Sequence, residues 1–128
     1  IADFPSTGMA VYGQKTTQAT ASALDRVNVA RLTNYMRHNL DQLSRAFLFE
    51  QNDKITRDNM RDAVERFCGN LVTQRGLYDF LVVCDESNNT PARIDRNELW
   101  VDVAIQPAKS VEFIYIPLRI RNTGESLA

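Results

Sequence analysis

Few residues in this chain are able to do chemistry. There is one histidine, His38, and there are two cysteines, Cys68 and Cys84. His38 has no second histidine and no thiolate at ligand spacing, and it stands among Asn34, Arg37 and Asp41, so it reads as part of a polar helix face and not as a zinc ligand. An activated cysteine needs a basic neighbour to hold its thiolate. Cys68 lies in a helix-periodic stretch and Cys84 ends an apolar run; neither has such a neighbour, and both read as buried thiols of a reducing compartment. Asp85, Glu86, Asp95 and Glu98 could form a calcium cluster or a catalytic carboxylate pair. They lack the ligand spacing of an EF-hand, and the Asn and Pro residues among them suit turns without any ion. No glycine-rich loop is present to cradle a phosphate. The residues supply no catalytic, metal or cofactor site.

What the remaining residues do supply is a sheet with edges. Leu99, Val101, Val103 and Ile105 alternate with Trp100, Asp102, Ala104 and Gln106, the two-residue period of a strand with one buried face. After a break at Pro107 to Ser110, Val111, Phe113 and Tyr115 alternate again with Glu112, Ile114 and Ile116, predicting another strand. Phe80 to Cys84 is continuously apolar, as for a strand covered on both faces.

Two helices precede these strands. Leu32, Met36, Leu40, Leu43 and Phe47 form one stripe, opposite Arg31, Asn34, Arg37, His38, Asp41 and Arg45. Asp25 is the expected N-cap and Phe49–Glu50 the expected end. Met60, Val64, Phe67 and Leu71 form the second stripe, with Thr56 as N-cap and Gly76 as terminator. Gly69 inside it suggests close approach of another backbone, and Asp62 and Arg66 can pair across one turn. Asp85 to Pro91 reads as a solvated connecting loop, and Asp95 to Asn97 as a turn. The expected fold is α+β: two helices packed on a small, mainly antiparallel sheet. Residues 1–22 are a Ser/Thr/Gly/Gln/Ala-rich linker with one strand-like piece, Met9 to Tyr12, that Gly13 ends; it is either a linker or a strand awaiting a partner. Residues 23–121 form the domain and 122–128 a flexible tail.

With 128 residues, 44% apolar, 24% charged and a net charge of −1, this is an ordinary globular composition. The charge gives no electrostatic case for nucleic acid or an acidic membrane as partner, and no apolar run is long enough to span a bilayer. Arginine outnumbers lysine, which fits either fixed ion pairs or lineage bias. The opening Ile1 suggests a piece of a longer polypeptide.

Pro117 interrupts the last strand-like run, and Leu118, Arg119, Ile120 and Arg121 resume the alternation. Either this is one bent edge strand, or the segment leaves its domain and adds to the sheet of another copy. Met9 to Tyr12 invites the same reading. Two arms and one open sheet per subunit give heterologous contacts, which propagate into rings or filaments.

These residues resemble the tail sheath proteins of contractile-tailed bacteriophages, the large myovirus sheaths in particular, from about Gly8 to Ile120. The resemblance runs through Tyr12-Gly13, Lys15-Thr16-Thr17, Val27-Asn28-Val29-Ala30-Arg31-Leu32 and Phe49-Glu50-Gln51-Asn52-Asp53. It continues through Gly76-Leu77, Val83-Cys84-Asp85, Asn88-Asn89, Asp95, Leu99-Trp100-Val101-Asp102-Val103, Pro107 and Glu112-Phe113-Ile114. Asn59-Met60 stand where many members carry a tryptophan.

The resemblance implies the C-terminal region of a virion structural protein that is not an enzyme and takes no cofactor or metal. Its copies would form a helical homo-oligomer around a tail tube protein, joined to baseplate and tail terminator proteins, assembled in the host cytoplasm and residing in the virion tail. Contraction would drive the tube through the envelope for genome ejection. On this reading Met9, Ala10, Val11 and Tyr12 belong to an N-terminal arm, Leu118, Arg119, Ile120 and Arg121 to a C-terminal arm, and Arg31, Arg37, His38, Asp41 and Arg45 to a tube-facing surface. The same plan serves type VI secretion sheaths and phage-tail-like bacteriocins. A small ligand-binding α+β domain is the alternative of a different class.

Overall fold

Val27–Arg45 folds as α1 and Lys54–Thr73 as α2 in the computed structural model, which describes residues 1–121, 123 and 124. Both apolar stripes face inward as their period requires. Met36 from α1 and Met60, Val64, Cys68 and Leu71 from α2 make the buried centre, and Leu32, Leu40, Leu43, Phe47 and Phe67 pack around it.

The helix ends differ from the sequence expectation for identifiable reasons. Asp25 does not cap α1: its carbonyl accepts from Thr16 N at 2.9 Å while it closes a 3₁₀ turn, Ala23–Asp25, so the helix starts after Arg26. At the other end α1 stops at Arg45. Three-residue turns follow, with Phe47 N donating to Ser44 O at 3.0 Å, and Phe49 takes a left-handed φ of 68°. Asp53, not Thr56, caps α2, its carboxylate accepting from Thr56 N at 2.9 Å.

Helix α2 closes with a Schellman motif: Gly76 N donates to Leu71 O at 2.8 Å and Arg75 N to Val72 O at 3.0 Å. The left-handed residue is Arg75, with φ 65°, one position before the glycine expected there. Gly76 itself needs neither a left-handed φ nor extra room, since a Cβ on it would sit in ordinary contact, 3.6 Å from Leu32 Cδ1 of α1. Gly69 faces open space, so no backbone packs on it. The pair on α2 is Arg61–Asp58 at 3.5 Å, not Asp62–Arg66.

Leu77–Val83 (β3) and Asp102–Pro107 (β4) pair antiparallel from Val83↔Asp102 to Leu77↔Pro107, with an irregularity between Leu77 and Asp79. Val101, Val103 and Ile105 face the helices as expected. β3 is not covered on both faces: Val82 is buried, but Leu81 stands opposite Ala104 on an open outer face. The sheet has two strands and not three, because Val111 to Ile116 finds no strand beside it in this chain.

The run from Asp85 to Pro91 is a connecting loop exposed at Asp85, Glu86, Ser87, Thr90 and Pro91, but it is not solvated throughout. Asn88 and Asn89 are buried, and Pro91–Asp95 forms a short helix, α3. At the N-terminus, Ala2–Phe4 (β1) and Gly8–Ala10 (β2) form a separate hairpin with Ala2 opposite Ala10. The tail expected over 122–128 lies outside the described residues apart from Thr123 and Gly124.

Candidate assembly surface: an open edge and two arms

The sheet is narrower than the helix layer beneath it. α2 packs against β3, while the stripe of α1 beside β4 is only partly covered. Between them runs a groove of about 300 Å³ lined by Thr33, Met36, Arg37 and Leu40 of α1 and Val103 and Ile105 of β4. β4 has β3 on one side only, so the edge above this groove carries unpaired backbone donors and acceptors.

From Ser110 to Arg121 every residue is exposed. Phe113, Tyr115, Ile116, Leu118 and Ile120 stand 75–92% in solvent. The apolar residues occupy both alternating faces, as in a strand meant to be covered on both sides. This exposed segment, Ser110 to Arg121, includes Leu118 to Arg121, the residues expected to form a C-terminal arm. The signal lay in that two-sided pattern, since β4 has a polar outer face.

The other expected arm residues fall on and after β2. Ala10 pairs with Ala2 and Met9 with Asp3, and the residues Met9 and Val11 are more than 80% exposed. Tyr12 meets Phe4 edge-on at 5.2 Å. Thus β2 has one strand partner at home and one free edge.

All five expected tube-facing residues are exposed, with Arg31, His38, Asp41 and Arg45 along the outer side of α1. Asp41 and Arg45 pair at 3.0 Å, and His38 Nε2 meets Gln42 Nε2 at 3.1 Å. Arg37 sits at the border and lines the groove beside β4.

Residues that sequence reasoning did not single out join the segments before α1 and after β4. Glu112 Oε1 receives Arg26 Nε at 2.7 Å and Gln14 Nε2 at 3.3 Å. Such long-range polar contacts leave no periodic trace. Among the described residues no cluster of His, Cys, Asp or Glu could hold a metal, and no helix is long and apolar enough to cross a membrane. Burial pushes both thiols, Cys68 and Cys84, above their ordinary pKa, the opposite of a reactive cysteine.

This geometry is that of contractile sheath subunits. The chain superposes with TM-score 0.83 and 25% identity on the contracted sheath complex of an extracellular contractile injection system (PVC), covering 93% of this chain and 35% of that one. A chain of the anti-feeding prophage baseplate shares the fold at TM-score 0.85 and 19% identity, over 94% of this chain and 36% of that one.

Family and relatives agree. A family model described as the phage tail sheath C-terminal domain matches residues 19–121, and the chain belongs to that family. The tail sheath protein of Vibrio phage KVP40 is 38% identical over 128 residues, all of this chain and 19% of that protein. That of Enterobacteria phage T4 is 38% identical over 117 residues, 91% of this chain and 18% of that protein. The chain therefore spans about a fifth of the length of these relatives.

Proposed function

We propose that this chain is the inter-subunit coupling domain of a contractile tail sheath, working by exchange of strands and not by catalysis. Residues 23–121 form the body and its C-terminal arm, and 1–22 the linker and N-terminal arm. The observation that carries the reading is the pairing of opposites in one molecule: an apolar strand without a sheet, and a sheet edge without a strand. Burying one Val, Leu, Ile or Phe side chain contributes about 1.5–3 kcal/mol, so docking Val111 to Ile120 beside β4 of a neighbouring copy stabilises the contact well beyond its backbone bonds. A copy cannot satisfy its own edge and its neighbour's with the same arm. The contact is heterologous and propagates as a helix.

Subunits so joined form a sheath around a tail tube, and extension and contraction move them without breaking the mesh, because strand ladders resist shear while the linkers bend. The polar side of α1, with Arg31, Arg37, His38, Asp41 and Arg45, faces the tube. Exposed charged contacts are weak and release on sliding. Baseplate and tail terminator proteins close the two ends, the sheath assembles in the host cytoplasm, and its place is the virion tail. The tail sheath relatives of Vibrio phage KVP40 and phage T4 favour a phage sheath over a secretion sheath or bacteriocin.

Electron microscopy of the full-length protein tests this. The intact protein is expected to form long hollow tubes. Removal of residues 113–128 leaves folded monomers; tubes that persist after this truncation would falsify the arm assignment.

A further inference from the structure

Both arms leave the body at one place. On the N-terminal side Gln14 is the first residue bonded to the body, its carbonyl accepting from Val27 N at 2.7 Å. On the C-terminal side the backbone is held up to Ala108 and Lys109: Ala108 N donates to Gly76 O at 3.1 Å, Asn28 Nδ2 to Ala108 O at 3.2 Å, and Lys109 N to Tyr78 Oη at 3.3 Å. Glu112 is the last described residue to make a polar contact with the body, and its carboxylate takes both Arg26 and Gln14.

The pair is not loose surface charge. Arg26 and Glu112 side chains are 31% and 26% exposed, their contact is 2.7 Å, and the partners lie 86 positions apart in sequence (112 − 26). Arg26 also neighbours Asp25 at 3.5 Å, and its backbone bridges antiparallel to Lys15. Charge-assisted bonds of this length are among the stronger polar contacts, and partial burial limits screening by salt. One further feature marks the junction as distinct from the core: Asn28 Oδ1 is buried there with no donor.

We propose that Gln14, Arg26 and Glu112 form a clasp that holds the two arm roots together and sets the direction in which each arm leaves. This rests on reading the two segments as arms to neighbours. If each arm pairs with a different copy, the position of one neighbour is tied to that of the other through three side chains, and tension passes from arm to arm without crossing the hydrophobic core. Arg26 and Glu112 are therefore positioning residues: through their bond to each other they fix the angle between two partners.

The test uses the full-length protein carrying E112Q, R26Q or the exchange R26E/E112R, beside the arm truncation. Readouts are tube formation, the spread of helical twist and rise in cryo-EM images, bending stiffness of the tubes, and subunit Tm. The single variants are expected to form tubes with near-parental Tm, a several-fold broader spread of twist and lower stiffness; the exchange narrows the spread again. Single variants that give uniform tubes of parental stiffness overturn the clasp while leaving the arms intact, provided the truncation still abolishes assembly. A variant whose subunit Tm collapses, or a defect that the exchange fails to repair, assigns the pair to body stability and also overturns it. If the truncated protein assembles, the arm reading itself fails, and the clasp with it.

Discussion

The buried side chain of Asn89 satisfies both main-chain groups of Trp100: its Oδ1 accepts from Trp100 N at 2.8 Å, and its Nδ2 donates to Trp100 O at 3.0 Å. That is the bond pattern of a ladder pair, supplied by an amide where the β3–β4 ladder has ended at Val83↔Asp102. Asn88 bridges the same gap, from Val83 O at 2.8 Å to Asp102 Oδ2 at 3.0 Å. Arg93 then lies 3.9 Å above the Trp100 ring and closes the loop.

Replacing Asn89 with alanine leaves the part-buried Trp100 N without its acceptor, while Trp100 O keeps Asn88 Nδ2 at 3.2 Å. An unsatisfied group of this kind costs about 1–3 kcal/mol, so Asn89→Ala should destabilise the chain by roughly that amount in urea melts. Asn89→Asp keeps the acceptor for Trp100 N but loses the donor and buries a charge, and should be no better than alanine. A loss below about 0.5 kcal/mol would show that the amide is not the ladder's continuation.

The sequence made the helices and one strand pair legible, because their signals are periodic. Leu32 to Phe47 and Met60 to Leu71 could face only one way, and Val101 to Ile105 alternated as β4 does. What it hid was every decision made by a single polar side chain. Asn88 and Asn89 had the composition of a turn and the burial of a core, since an amide is cheap to bury once its partners are fixed. The Gln14–Arg26–Glu112 contact joins residues far apart and has no period. Val111 to Ile116 has the alternation of a strand, yet no strand forms there in this chain, because a local period says nothing of whether a partner edge stands beside it.

The Asp53 cap carries a pH dependence. The bond from Thr56 N lowers the Asp53 pKa below its ordinary value of 3.8. A carboxylate with a depressed folded pKa adds stability above its unfolded pKa and loses it as pH falls through the folded value. Between neutral pH and about 5 the cap should be insensitive, and below 3.8 its contribution should fade. Asp53→Asn should keep most of the cap and flatten this part of the acid limb; Asp53→Ala should lower Tm by a few degrees at neutral pH. Parallel acid limbs in wild type and Asp53→Asn would argue against the cap.

The thiols carry the opposite sign. Burial raises Cys68 and Cys84 above 9.0, so the unfolded chain ionises first as pH rises. Their contribution is whole below 9.0 and falls away above it. Cys68 and Cys84 are 0% and 1% exposed, so a thiol reagent at pH 8 should label them only as fast as the chain opens. Rapid labelling of either in the folded chain would contradict its burial.

Arg75 bears a left-handed φ of 65° at the C-terminus of α2, which costs a residue with a Cβ on the order of 1 kcal/mol relative to glycine. Its side chain is exposed, so little packing is lost on removing it. Arg75→Gly should raise stability by up to about 1 kcal/mol, whereas Arg75→Val should lower it. Chemical denaturation of the two variants side by side reads the difference directly, and an Arg75→Gly that destabilises would place the strain elsewhere.

Strand docking has a signature at single amides. In an antiparallel pair every second residue bonds its partner and the residues between point away, so half of the amides of Asp102 to Gln106 face the open edge of β4. In the free chain these outward amides should exchange with solvent deuterium quickly while their inward neighbours are protected by β3. In tubes assembled from the full-length protein the outward set should slow by orders of magnitude, and alternate amides of Val111 to Ile116 should slow with them. Pro117 has no amide to protect, so a gap is expected there, with protection resuming from Leu118. Removing residues 113–128 should return the outward β4 amides to fast exchange without changing the inward ones. Outward amides that stay fast in intact tubes would mean that neighbouring copies meet somewhere other than this edge, because a backbone donor held in a ladder cannot exchange at the rate of one left in water.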